Sequence, residues 1–84
     1  MREAGITPAQ CRAARAAVGW KQEELAEKAE VSRPVVQDFE RSGRVPITNN
    51  LRAIRVALEN GGVVFQRDET GRAGITFRDK DTTE

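Results

Sequence analysis

With 84 residues, 38% of them hydrophobic and 32% charged, the chain reads as one globular domain, small enough that a partner subunit is an expected source of extra stability. The lack of histidine and the single cysteine, Cys11, exclude a structural zinc site, an intramolecular disulfide and the usual general base of hydrolysis, so no enzyme, metal or other cofactor is expected. Net charge is +1, but residues 1–67 hold eleven Lys/Arg against eight Asp/Glu and residues 68–84 hold three against five, so positive charge belongs to the front. No apolar run is long enough to cross a bilayer and no signal-peptide pattern is seen, which points to the cytoplasm and away from membranes.

The first helix signal is Thr7-Pro8-Ala9-Gln10, with Thr7 as N-cap, Pro8 as the first helical residue and Gln10 as capping-box partner. This helix carries Cys11, Ala14, Ala17 and Val18 on one stripe, and Gly19 is placed to end it in the left-handed conformation. A second helix is predicted over Gln22 to Ala29, with Leu25, Ala26 and Ala29 facing inward and Glu23, Glu24, Glu27 and Lys28 outward. Its early acids suit the positive end of the helix dipole. Glu30-Val31 leaves a very short turn before Ser32, a natural N-cap for a third helix, Arg33 to Arg41, with Pro34 tolerated in the first turn. Val35, Val36 and Phe39 form the apolar side of that helix, so Arg33, Pro34, Gln37 and Asp38 face outward, free for a partner.

Ser42-Gly43-Arg44-Val45-Pro46 breaks the third helix, after which Thr48 is the expected cap of a fourth running to about Leu58. Leu51, Ile54 and Leu58 fall at helical spacing, and Asn60-Gly61-Gly62 stops the helix. From Val63 the period changes to two. Val63 and Phe65 share one face, Asp68-Glu69-Thr70-Gly71 makes a turn, and Ile75 and Phe77 alternate with Thr76 and Arg78, which reads as a β-hairpin.

Two short helices joined by a tight turn have the geometry of a helix-turn-helix, yet any small bundle contains such a pair, and fold alone does not give function. The residues go further. Gln22-Glu23-Glu24-Leu25-Ala26-Glu27-Lys28-Ala29, then Val31-Ser32-Arg33, then Phe39-Glu40-Arg41, resembles the Cro/C1-type (XRE-like, lambda-repressor-like) helix-turn-helix pattern over about residues 7–59. The resemblance implies a mainly α fold, a lambda-repressor-like bundle of four helices, here followed by a C-terminal β-hairpin. Residues 1–61 then form the DNA-binding domain, 62–78 the hairpin and 79–84 a flexible tail. It also implies a regulator of transcription that binds double-stranded DNA as a homodimer on a palindromic operator. Two positions depart from the pattern: Glu30 stands where the family usually has glycine, and Lys21 replaces the common Ser/Thr/Asn cap of the second helix.

By that resemblance, Gln22 contacts a phosphate, and Ser32, Arg33, Pro34, Gln37 and Asp38 occupy base-facing positions. Independently, Arg33 and Gln37 are four residues apart on one helical face, and their chemistry suits bidentate pairing to guanine and adenine. Arg41, Ser42 and Arg44 are expected along the sugar-phosphate backbone, with Asn49 and Asn50 donating to it from the start of the fourth helix. Arg15 and Glu40 match a family ion pair that ties the first helix to the end of the third. Trp20 and Cys11 read as core residues.

Two strands alone are marginal in water, so Val63, Phe65, Ile75 and Phe77 must pack on the helices or on another chain. A homodimer contact through the strand edges or the apolar face is the favoured expectation, and a hairpin that caps the monomer core is the alternative. A repressor or autoregulator is the leading function. An antitoxin that also binds a toxin protein shares the same DNA chemistry, and a helix-turn-helix scaffold that binds protein in place of DNA is a third reading.

Overall fold

The computed structural model describes residues 5–78, so the expected tail at 79–84 lies outside the described residues. Four helices, α1 (Pro8–Val18), α2 (Gln22–Ala29), α3 (Arg33–Ser42) and α4 (Thr48–Asn60), precede two strands, β1 (Val63–Arg67) and β2 (Ala73–Phe77). Mainly helical with a terminal antiparallel pair, this is the architecture expected from the periodicity.

At the start of α1, Gln10 N–H donates to Thr7 Oγ1 at 3.0 Å and Thr7 N–H donates to Gln10 Oε1 at 2.9 Å, a complete capping box. The Gln10 amide does a second task. Its Nε2 donates to the Gly74 carbonyl at 2.9 Å, so one buried side chain both starts α1 and ties it to β2. Gly19 ends the helix at φ 79°, with Trp20 N–H donating to Arg15 O and Gly19 N–H to Ala16 O, so two otherwise orphaned carbonyls are satisfied. Cys11 and Ala14 are buried and Val18 is half-buried, but Ala17, expected on the same stripe, is exposed. Gln10 takes the inward place two turns earlier, because its amide has backbone partners there.

The same double closure ends α2. Val31 N–H donates to Ala26 O and Glu30 N–H to Glu27 O, with Glu30 at φ 59°. Glu30 thus adopts the left-handed conformation for which glycine is the easy choice, at a steric cost that an L residue with a Cβ carries. Leu25, Ala26 and Ala29 line the inner side of α2, and Val36 and Phe39 are their counterparts on α3. Phe39, Leu25, Ile54, Leu58 and Val36 are the largest fully buried side chains, so the core sits where α2, α3 and α4 meet under α1.

The fourth helix differs from expectation at both ends. Thr48 is its first helical residue, with Ile47 at the N-cap position and no side-chain cap, and it runs on to Asn60. Gly61 follows where a Cβ would fall 2.9 Å from the Trp20 ring, so the half-buried indole and the end of α4 approach closely only without a side chain. The Lys28 ammonium lies 5.0 Å from the centroid of the same ring, closing its outer side.

In the hairpin, Val63 stands opposite Phe77 and Phe65 opposite Ile75, so all four share one face. That face is turned onto the helices. Val63 is 1% exposed, a member of the core, and Phe65 and Ile75 pack partly buried against it. Three of the four side chains expected at a contact with another chain thus bury apolar area against their own helices, which supplies what two lone strands lack. Only Phe77, at 51% exposed, remains largely open. The turn is built on Asp68, whose Oδ1 accepts from the backbone N–H of Thr70 and of Arg72 and from the Thr70 hydroxyl. The Thr70 hydroxyl bond and the Arg72 backbone bond hold this carboxyl below its ordinary pKa.

Because the α2–α3 turn needs a positive φ at residue 30, Glu30→Gly is expected to raise stability by about 0.5–1 kcal/mol, the relief of the left-handed strain less the extra chain entropy of glycine. Urea unfolding of the two proteins reads this; equal or lower stability of the glycine variant would show that no strain is held there.

Candidate nucleic-acid interface

The outward side of α3 follows from the way its inner side is used. Val36 and Phe39 are buried and Val35 is half-buried, which turns Arg33 and Pro34 into solvent and leaves Gln37 and Asp38 half-exposed. Ser32 stands at the N-cap position with extended backbone, but its side chain makes no capping bond. The five residues expected to face bases thus lie on the open side of one short helix, which begins directly after a three-residue turn.

Gln22, the first residue of α2, is brought to the same place. Together with Arg15, Lys21, Glu23 and Arg33 it lines a shallow cavity of about 390 Å³. Lys21 was not singled out in the sequence, where it counted only as a missing cap. It joins Arg15 and Arg33 as a third cationic residue in the wall of that cavity, and a basic residue next to a helix start was the available signal.

The other expected backbone contacts lie further along the chain. Arg41, Ser42 and Arg44 are exposed at the end of α3 and just after it, Asn49 is exposed and Asn50 half-buried in the first turn of α4. The Ser42 hydroxyl donates to the Asp38 carbonyl at 2.8 Å, so it is already engaged within its own helix. The ion pairs among the described residues are Arg15–Glu40 and Arg55–Glu59, and Arg33, Arg41 and Arg44 enter neither of them. Their charge remains available to an anion.

Helix starts divide in the same way. The N-terminus of α1 is closed by its capping box, whereas α2, α3 and α4 have no cap bond from the N-cap side chain. On α2, Glu24 reaches back to the Lys21 N–H at 2.8 Å, which settles the N-cap amide and leaves the next ones unclaimed by side chains. Open helix starts carry unsatisfied N–H groups and the positive end of the dipole, the two features that receive phosphate.

Behind this surface lies Glu40, 3% exposed. Arg15 holds it bidentately, Nε to Oε2 and Nη2 to Oε1, each at 2.9 Å, and a third Arg15 nitrogen donates to the Trp20 carbonyl. Cys11 Sγ donates to Oε2 and Gln22 Nε2 to Oε1, both at 3.1 Å, and Arg12 donates to the Glu40 backbone carbonyl. The Arg15–Glu40 pair expected from the sequence is present; the Cys11, Gln22 and Arg12 contacts were not foreseen, since a long-range bond to a carboxylate leaves no periodic trace. Burial works against the Glu40 charge, but the bonds from Arg15, Gln22 and Cys11 outweigh it and hold the carboxyl below its ordinary pKa. Burial and the adjacent carboxylate push the Cys11 thiol well above its ordinary value, and the bond to Glu40 raises that of Arg15.

The sequence profile described as Helix-turn-helix matches residues 12–61, from α1 through α4. The chain belongs to the Cro/C1-type helix-turn-helix family. It is accordingly a DNA-binding helix-turn-helix regulator, and the hairpin lies beyond the part that the family profile covers. A search of curated proteins finds no significant match. Among the described residues no cluster of Cys, Asp and Glu can hold a metal ion, and no helix is long and apolar enough to cross a membrane.

Removal of one partner from the buried pair leaves the other charge uncompensated, so Arg15→Ala is expected to cost about 3 kcal/mol in urea unfolding at neutral pH. The sign of the pH effect follows from the lowered Glu40 pKa. Its contribution is complete above the unfolded value of about 4.3 and is lost as pH falls from there through the folded value. Glu40→Gln should flatten that acid limb of the stability profile, and an unchanged limb would assign it to other carboxylates.

Proposed function

We propose that the chain is a sequence-specific repressor or autoregulator that places α3 in the major groove and binds as a homodimer to a palindromic site. The observation that carries this reading is the open polar side of α3, with Arg33 in no ion pair among the described residues and at the wall of the cavity it shares with Gln22 and Lys21. In this reading Arg33 pairs with guanine and Gln37 with adenine, while Ser32, Pro34 and Asp38 adjust the fit to neighbouring bases. Gln22, Lys21, Arg41, Arg44, Asn49 and the open starts of α2 and α4 hold the sugar-phosphate backbone and set the register. The small net charge is compatible with this, since Arg33, Arg41 and Arg44 enter no ion pair among the described residues.

Dimerisation then rests on what the hairpin leaves open. The end of β2 lies beside the end of α4, because Arg78 donates from its backbone to Gly62 and from its guanidinium to the Glu59 carbonyl. Phe77 on β2 and Val56 on α4 are exposed apolar side chains of these two elements, and the outer edges of a two-stranded sheet are open to further pairing. For both copies to read one palindrome, a second copy bound there has to set the two α3 helices one helical turn of DNA apart, about 34–36 Å.

Selection of bound sites from random DNA tests binding, symmetry and half-site spacing together. Arg33→Ala and Gln37→Ala are each expected to lose about 1–3 kcal/mol at one base pair of the selected site and to relax selectivity there. Equal weakening on all sequences would remove the base-reading assignment. Binding should also fall steeply as salt is raised, through release of counterions; salt-independent association would point to a protein partner. In sedimentation, Phe77→Asp should convert a dimer to a monomer with its helical spectrum intact, and an unchanged mass would take this residue out of the interface.

A further inference from the structure

We infer that Glu40 is a positioning residue for DNA contact, fixing the Gln22 side-chain amide so that it presents an N–H to the backbone phosphate; this rests on the DNA-binding reading above. An ionised carboxylate has about four acceptor sites and no donor. Here each oxygen receives one Arg15 nitrogen, and the remaining places are taken by Cys11 on Oε2 and Gln22 on Oε1. Arg15 alone balances the charge, and Cys11 is wholly buried. Arg15 and Gln22 both reach the wall of the cavity they share with Lys21, Glu23 and Arg33, but each Arg15 nitrogen already donates to Glu40 or to the Trp20 carbonyl, whereas the half-buried Gln22 amide nitrogen meets one acceptor and has a second N–H to give.

A free glutamine amide presents its carbonyl or its NH₂ to a neighbour with little preference, and a carbonyl facing phosphate is repelled. Against an acceptor-only carboxylate just one orientation works: Nε2 must face Glu40, which leaves the second N–H of the same nitrogen to donate outward. Glu40 belongs to α3 and Gln22 to α2, so this bond also sets the phosphate contact in a constant relation to the helix that carries Arg33. The amide is ordered before DNA arrives, and that removes an entropic cost from binding.

The experiment is a double-mutant cycle on affinity for a selected DNA site, with Gln22→Met, Glu40→Gln and both together, at a temperature where circular dichroism shows each protein folded. Gln22→Met is expected to weaken binding roughly tenfold, as loss of one charge-assisted hydrogen bond does. On the Glu40→Gln background the same change should cost clearly less, because an amide at 40 can donate as well as accept and no longer fixes which end of the Gln22 amide faces outward. A full tenfold loss on both backgrounds overturns the inference and leaves Glu40 a stability residue only. NMR of the wild-type chain gives a second reading that needs no folded Glu40 variant: the Gln22 side-chain amide should show dispersed resonances and slowed exchange with solvent. Free-amide shifts with solvent-rate exchange overturn it. A wild-type chain that binds no DNA overturns the DNA-binding reading and this inference with it, whereas binding with additive losses overturns this inference alone.

Discussion

A carboxylate with almost no contact to water must be met by enough donors to replace its hydration, and in a chain this small those donors have to come from several elements at once. Glu40 near the end of α3 takes Arg15 and Cys11 from α1 and Gln22 from α2, while Arg12 of α1 reaches the Glu40 carbonyl. Three helices are thereby referenced to one side chain. Apolar packing among Leu25, Val36, Phe39, Ile54 and Leu58 holds the bundle together, but such packing is non-directional and tolerates small rotations of one helix on another. The bidentate Arg15 contact does not, since two parallel bonds define a plane as well as a distance. A helix that reads bases needs that kind of definition.

The treatment of helix starts follows the same division between inside and outside. On α1 the chain closes its own amides and uses the closing residue, Gln10, to hold the hairpin. On α2, α3 and α4 the N-cap residues are Lys21, Ser32 and Ile47, none of which caps through its side chain. Each omission costs a little stability in the free protein, and the three fall on the helices that follow α1. This is the pattern expected where an outside anion completes what the chain leaves open.

How much of this was legible in the sequence depends on the range of the interaction. Local rules placed α1 and α2 to the residue, because Thr7, Pro8, Gln10 and Gly19 each act within one turn, and the spacing of Leu25, Ala26 and Ala29 admits one inward face. The β-hairpin was equally plain from the alternation after Val63 and the Asp68–Gly71 turn. Thr48 misled, since a residue able to cap lies one position inside the helix, and Ile47 at the cap gives no chemical sign of its place. The hairpin's packing was not legible either. Whether Val63, Phe65 and Ile75 meet their own helices or another chain depends on where Gly61 and Gly62 send the strand and on the Gln10–Gly74 bond, and neither shows as a period. The Arg15–Glu40 pair came through family resemblance, and its extension to Cys11 and Gln22 required coordinates.

The place of Cys11 has one more consequence. Its sulfur is sealed between α1 and α3, donates to a carboxylate, and is held in the protonated state by burial and that neighbour. Thiolate chemistry at this atom needs α1 to lift away from Glu40 first. The rate at which an alkylating reagent consumes the thiol is therefore a clock for opening of the contact that ties α3 to α1, built into the chain without any label.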